Sequence, residues 1–163
     1  MRHSDWDCTL EAPHERIAGV ELPQPAVRLG LCLVAQLPKT SGERVAQVRA
    51  QAPFRSTEDL ALRARLQRAE LQALAAADAL QGLSGHRRQQ MWDAAALQVQ
   101  PPLFAGVPVH EAPVQLAAAP EGEEILFDYA ATGLSLRRHP LALLRDRLRR
   151  HGLRTALELS LIH

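Results

Sequence analysis

Hydrophobic residues recur at helical spacing through the middle of the chain, residues 29–98. A first helix begins at Leu29 and must stop at Pro38, because proline cannot donate a backbone hydrogen bond and disfavours helical geometry in the residue before it. A second helix, which Ser41 can cap, ends at Pro53. The central region is therefore expected to hold two helix-turn-helix pairs with an extra helix between them. The remaining helices begin at Ser56 or Thr57, cover Leu66–Ala75 and run from His86 to Gln98.

The last of these central helices follows a turn over Gln81–Gly85, where two glycines break the hydrophobic pattern. One of its sides carries hydrophobic residues at helical spacing, and such a side is expected to pack inward. It consists of Met91, Trp92, Ala95 and Leu97.

The chain follows other patterns on either side of this region. Residues 1–28 contain three prolines, and the stretches Asp7–Leu10 and Arg16–Leu22 each predict a short strand at an edge. Residues 99–120 contain five prolines without hydrophobic periodicity, which predicts an extended linker. A short helix is predicted over Glu121–Ala131, where Gly133 can end it.

A last helix can begin at Pro140 and stop at Gly152. Thr155 and Glu158 then match a capping box, but the chain ends at His163 before that helix is long enough to be stable alone. We therefore interpret the C-terminus as cut short. The hydrophobic stripe of the Pro140 helix is Leu141, Leu144 and Leu148, opposite a row of arginines.

Composition narrows the classes of function. Hydrophobic residues make up 47% of the 163 residues, which is enough for one modest domain with tails and too little for a free-standing polymerase or kinase. Only 4% of residues are aromatic, so the core must be aliphatic, which suits helices. The net charge is +1, and Lys39 is the only lysine among 19 basic residues. This balance does not itself indicate a nucleic-acid binder, and we attribute the arginine excess to a GC-rich coding sequence.

The compartment follows from cysteine use and hydropathy. Two cysteines, Cys8 and Cys32, are too few for the disulfide framework of a small secreted domain. The first eleven residues contain no hydrophobic signal segment, and no hydrophobic run approaches the roughly 20 residues that span a bilayer. These features predict a cytoplasmic protein.

Sequence motifs for catalysis or metal binding are missing. Asp5 and Asp7 flank Trp6 like the carboxylate pair of a two-metal site, but this segment supplies neither further carboxylates nor phosphate ligands. The seven histidines lack the spacing of a zinc site, and the sequence contains no glycine-rich phosphate loop. We expect no catalytic residue, no metal and no cofactor.

The turns at residues 37–42 and 81–87 carry the candidate binding residues. A tight turn between two helices exposes the N–H groups that start the second helix, and these can hold a phosphate without contacting its base. Basic side chains strengthen the contact, so two such turns would hold a nucleic-acid backbone at two points. The alternative is a plain helical hairpin with solvated basic residues. The candidates are Lys39, Thr40, Ser41 and Arg44 in the first turn, and Ser84, Gly85, His86, Arg87 and Arg88 in the second.

Five stretches, in order along nearly the whole chain, carry a resemblance to a known family. In this combination the chain resembles the C-terminal third of the bacterial error-prone family-C DNA polymerases, relatives of the DNA polymerase III alpha subunit. The stretches are His3–Glu11, Val27–Leu31, Phe54–Ser56 with Glu58–Leu60, Gly85–Arg88, and Thr132–Leu136 with Arg138–Leu141.

The resemblance implies a mostly α-helical fold. Residues 1–28 would lead from the fingers region, 29–98 would form tandem helix-hairpin-helix motifs, 99–120 a proline-rich linker, and 121–163 a helical connector truncated before an OB-fold. The family's polymerase aspartates lie outside the matched portion, so this chain alone is expected not to be an enzyme. The implied function is non-catalytic, sequence-independent binding of double-stranded DNA during translesion synthesis and repair of DNA damage.

The first hairpin departs from the family pattern. The family usually has two glycines around a hydrophobic residue, whereas this chain has Gln36, Leu37 and Pro38. Proline removes one amide donor and the missing glycines add bulk. We therefore expect the second hairpin, with Gly82 and Gly85, to be the better phosphate site.

A second function stays open, that of a scaffold docking other polymerase domains, another mutagenesis protein or the sliding clamp. The run from Gln100 to Phe104 resembles the clamp-binding peptide of replicative relatives. Leu103 and Phe104 would fill a hydrophobic pocket while Gln100 forms a hydrogen bond at its rim. The alternative is that Leu103 and Phe104 fold back onto the helical domain.

Overall fold

The computed structural model describes residues 3–11, 25–96 and 114–156. The predicted fold class is confirmed, because the described chain is mostly helical with a short β segment near its start. The strands are β1 (Thr9–Glu11) and β2 (Ala26–Arg28), which pair antiparallel with Leu10 opposite Val27. A 3-10 turn at Leu31–Leu33 precedes the α-helices. These are α1 (Lys39–Gln51), α2 (Thr57–Arg63), α3 (Arg68–Ala76), α4 (Gln81–Ser84), α5 (Arg87–Ala96), α6 (Glu121–Thr132), α7 (Pro140–Leu143) and α8 (Arg145–Arg150).

Local signals explain where several helices start and stop. The Ser56 hydroxyl accepts a hydrogen bond from the Asp59 amide at 3.0 Å and so caps α2, as its sequence predicts. Gln67 and Glu70 form a capping box at the start of α3. Gly133 ends α6 with φ = 75°, a left-handed conformation that glycine adopts without strain.

The core is aliphatic and lies among α1, α2, α3 and the two helices that follow. Its central side chains, Val45, Leu60, Leu74 and Leu80, are completely buried. Leu31, Val34 and Leu37 extend this cluster towards the N-terminal segment. The low aromatic content thus yields the expected helical core.

The Asp5–Asp7 stretch has a structural role. The Leu31 and Cys32 amides donate to the carbonyl oxygens of Asp5 and Trp6 at 2.8 and 2.9 Å. The Asp5 carboxylate accepts a hydrogen bond from Arg49 at 2.7 Å. Because the Trp6 ring lies over α1, a Cβ atom at Gly42 would be only 2.4 Å from that ring. This segment therefore holds the β hairpin against the first hairpin of the helical domain.

The chain before α1 differs from the prediction. Only Leu31–Leu33 forms a helical turn, and Gln36 adopts φ = 64°. The Ala35 amide donates to the Ala131 carbonyl of α6 at 2.8 Å, so a tertiary contact replaces the bond of a continuing helix. Similarly, Ser41 does not cap α1: Pro38 occupies that position, and Ser41 is buried inside the first turn.

The predicted inward side of α5 is wrong. Met91 and Trp92 are 39% and 49% exposed, whereas Arg87, Gln90 and Ala94 are buried. These three lie on one side of the helix, where the polar side chains find internal partners. The predicted turn over Gln81–Gly85 likewise contains the short helix α4.

Other expectations have mixed outcomes. The observed partner of β1 is β2, at Ala26–Arg28. The strand predicted over Arg16–Leu22 lies outside the described residues. The Pro140 helix breaks at Leu144 into α7 and α8, and Leu141 and Leu144 are exposed. The capping box that would reach Glu158 and most of the linker over 99–120 also lie outside the described residues. The domain division remains a prediction.

In the described part of the chain, no helix is both long and hydrophobic enough to cross a membrane. No three His, Cys, Asp or Glu side chains in residues 3–11, 25–96 and 114–156 gather as a metal site requires.

Candidate nucleic-acid interface

The first hairpin is built by fixing the start of α1 beside the turn between α2 and α3. Arg44 donates from Nε to the Ala64 carbonyl at 2.5 Å and from Nη2 to the Arg65 carbonyl at 3.4 Å. The Ser41 hydroxyl donates to the Glu70 carboxylate and accepts from Arg44. These bonds place the first turns of α1 and α3 next to each other.

This arrangement leaves a basic surface outside. Lys39 and Thr40 are exposed on the first turn of α1, and Arg65 and Arg68 are exposed on the adjoining turn. The first amides of a helix lack acceptors within it and carry partial positive charge, which adds to that of the side chains. Lys39 has a loose contact of 3.8 Å with Glu43. We call Lys39, Thr40, Arg65 and Arg68 the hairpin face.

The candidates of the first turn therefore divide into two groups. Lys39 and Thr40 point outward, whereas Ser41 and Arg44 hold the turn together. Arg65 and Arg68 were missed by sequence reasoning, although a short turn flanked by two arginines is a recognisable signal. Arg65 has φ = 49°, which fixes a tight reversal between α2 and α3.

The second hairpin is organised around Gln90, which is completely buried. Its amide group donates to Asp78 and to the Gly85 carbonyl, both at 2.6 Å, and its carbonyl accepts from the Leu80 amide at 3.0 Å. Gly85 has φ = 76° and is exposed, with open space where a Cβ would stand. Hydrogen bonds of Gln90 thus fix the turn, and the Gly85 backbone is exposed.

The side chains of the second hairpin contact other parts of the protein. The Ser84 and Thr57 hydroxyls are 2.5 Å apart. His86 Nε2 lies 2.7 Å from the Leu116 carbonyl oxygen. Arg88 donates to both carboxylate oxygens of Glu123 at 3.0 and 2.9 Å. The Ser84, His86 and Arg88 side chains are therefore engaged within the protein, and phosphate binding at this hairpin remains a prediction.

Arg87, a predicted phosphate contact, is buried inside the protein. It is only 3% exposed and forms ion pairs with Glu124, at 3.4 Å, and with Asp128. Its Nη1 also donates to the Glu124 carbonyl at 3.0 Å. A buried guanidinium with these partners does not reach a phosphate, so Arg87 joins α5 to α6 instead.

Arg137 completes this buried ion cluster. It donates to both oxygens of Asp128 at 2.8 and 2.7 Å, to Asp78 at 3.1 Å and to Glu124 at 3.0 Å. Burial raises the pKa of Asp128, but hydrogen bonds from Ser135, Arg87 and Arg137 outweigh it and leave the pKa below its ordinary value. The cluster thereby ties α6 and the loop after it to the second hairpin.

The clamp-like residues Gln100, Leu103 and Phe104 lie outside the described residues. Their proposed contact with a sliding clamp remains a prediction.

Comparison with known proteins agrees with this geometry. A family model described as a helix-hairpin-helix motif matches residues 1–90. The chain is 49% identical to an error-prone DNA polymerase of Methylococcus capsulatus, covering 96% of this chain and 16% of that protein. It is 57% identical to an error-prone DNA polymerase of Azoarcus sp., covering 90% and 14% of the two chains. For that of Alkalilimnicola ehrlichii the identity is 44%, covering 98% and 15%. No solved structure matches the chain.

Proposed function

The chain belongs to the helix-hairpin-helix family and is similar to one segment of error-prone DNA polymerases, and from this premise we propose that it binds double-stranded DNA without sequence preference. It spans 14–16% of the length of these relatives. Its proposed role is to position the duplex by phosphate contacts during translesion synthesis and repair. Catalytic carboxylates would come from other parts of such a polymerase.

The hairpin face carries this proposal. Two exposed arginines and one exposed lysine surround the first turn of α1, and the carboxylate of Glu70 is occupied by Ser41 and the Gln67 amide. Positive side chains and free helix amides bind phosphate oxygens, which are the same at every base pair. This surface therefore suits a duplex backbone irrespective of its sequence.

Direct binding measurements test the proposal. Fluorescence anisotropy of two unrelated labelled duplexes should give similar dissociation constants for the full chain. The Lys39→Gln, Arg65→Gln, Arg68→Gln triple variant should weaken both equally and reduce the slope of log K against log salt by up to about 2.7, roughly 0.9 for each cation lost. Sequence-selective loss or unchanged binding would contradict the proposal.

A control at two paired arginines separates exposed charge from charge already neutralised. Arg88 and Arg138 are paired with Glu123 and Glu121, whose carboxylates they contact at about 3 Å. Replacing both with glutamine removes two positive charges without altering the hairpin face. Duplex binding by this control should stay close to that of the unmodified chain.

A hydrophobic groove favours the scaffold as a second candidate function. Met91, Trp92, Leu116 and Phe127 line a groove of about 490 Å³ between α5 and α6. Exposed hydrophobic surfaces of this kind mark binding sites for other proteins. The scaffold predicts that Trp92→Glu with Phe127→Glu abolishes co-purification with a separately expressed catalytic portion of an error-prone polymerase. The control substitution Leu62→Glu, at a more exposed hydrophobic residue on α2, should leave co-purification intact.

A further inference from the structure

Positive charge is concentrated near the end of the described chain. Residues 145–154, which we call the α8 segment, contain five arginines and one aspartate, giving a net charge of +4. The whole chain carries +1, so the other residues sum to −3. The α8 segment is therefore a basic surface on an otherwise slightly acidic molecule.

Carboxylates neutralise many arginines elsewhere but not the outer arginines of this segment. Arg147, Arg150 and Arg154 are exposed, and the ion pairs among the described residues include none of the three. Their positive charge therefore faces solvent. The paired arginines are Arg28, Arg49, Arg63, Arg87, Arg88, Arg137 and Arg138.

The helix presents these charges together. Arg147 and Arg150 are three positions apart, so they lie on the same side of α8 at neighbouring turns. Leu148 is half-buried and lies on a different side of the helix. Gly152, with φ = 79°, ends the helical path, and Arg154 follows it. The result is a short basic strip on the exposed side of α8.

We propose that the α8 segment is a second surface for the phosphate backbone of nucleic acid, separate from the hairpin face. A planar guanidinium can donate two parallel hydrogen bonds to one phosphate, and adjacent cations displace the counterions that surround a duplex. The net charge of +4 complements such a polyanion. This inference extends the proposed DNA binding, and its test uses different residues.

The experiment compares three double variants of the full chain with one labelled duplex between 50 and 300 mM KCl. Arg147→Gln with Arg150→Gln tests the α8 segment, Lys39→Gln with Arg68→Gln tests the hairpin face, and Arg88→Gln with Arg138→Gln is the charge-matched control. Circular dichroism establishes that each variant keeps its helices. The α8 variant should bind more weakly than the control, with a salt slope roughly 1.8 units shallower than that of the unmodified chain.

The outcomes separate the two proposals. Loss of binding in the α8 variant alone supports the second surface and contradicts the hairpin face. Loss in the hairpin variant alone overturns the second surface and leaves the proposed function standing. If the α8 variant binds duplex normally but loses binding to phosphatidylserine vesicles, the segment contacts anionic lipid and our inference is wrong.

Discussion

At the scale of single residues, the arginines of this protein serve two different purposes. Arg87 and Arg137 form a buried cluster with Asp78, Glu124 and Asp128, whereas Lys39, Arg65 and Arg68 face solvent. Sequence alone treats them alike, since each is a basic residue and the local pattern does not contain its partners. Their separation depends on carboxylates in α6, which begins 25 positions after α5 ends.

Removing the buried Arg87 guanidinium should strongly reduce the free energy of unfolding. Arg87→Met leaves Glu124 and Asp128 with one cation fewer in a buried setting, which typically costs about 3–5 kcal/mol and lowers Tm by on the order of 10 °C. Thermal unfolding followed by circular dichroism measures the change. Arg88→Met provides the control, because Arg88 is half-exposed and its pair contributes about 1 kcal/mol or less. Equal losses in the two variants would contradict the structural role of Arg87.

The same cluster predicts acid sensitivity. The folded-state pKa of Asp128 is lowered, so its ionised form contributes stability that is fully present above the unfolded value of about 3.9. That contribution is lost as pH falls from about 3.9 through the folded pKa. Urea unfolding between pH 2.5 and 6 should therefore show a steeper acid loss for the unmodified chain than for Asp128→Asn. If the free energy of unfolding of the two proteins fell in parallel with pH, the Asp128 carboxylate would not be the source of the acid sensitivity.

At the scale of elements, local signals predicted helix ends better than helix sides. Ser56 marks the start of α2 because a cap needs only residues within one turn. The predicted inward side of α5 was wrong because Arg87 and Gln90 are buried against partners that the local pattern does not contain. The hairpin face was half-predicted for the same reason: Lys39 and Thr40 belong to a visible turn, while Arg65 joins them through the contact of Arg44 with Ala64.

The packing of the N-terminal segment on α1 gives a prediction at this scale. Gly42→Ala places a methyl group against the Trp6 ring, where the nearest ring atom is 2.4 Å away, and overpacking of this kind costs about 1–3 kcal/mol. In a Trp6→Leu background the same substitution should cost less, because the ring is gone. A double-mutant cycle in urea measures this coupling. Additive effects would show that Gly42 and Trp6 do not constrain each other.

At the scale of the whole molecule, the helical connector is energetically joined to the hairpins. α6 packs against α3, receives the Ala35 amide and supplies the carboxylates that hold Arg87. A chain ending at Ala96 should therefore unfold at a lower temperature than the full chain. In this short chain Arg87→Met should be neutral or stabilising, the reverse of its effect in the full chain. An unchanged Tm after truncation would make residues 29–96 an independent domain.

The ion cluster also bears on how such proteins diverge. Arginine and lysine codons interchange by single-base drift as genomes change in GC content, yet lysine carries one compact ammonium where arginine offers a planar fork with five donors. Arg137 contacts three carboxylates at once and Arg87 contacts two, which a lysine does not reproduce. In counterparts from AT-rich genomes, positions 87 and 137 should retain arginine while the solvent-facing positions 65, 68, 147 and 150 accept lysine. An arginine content that arose from GC-rich coding would then be required at positions 87 and 137 by the ion cluster.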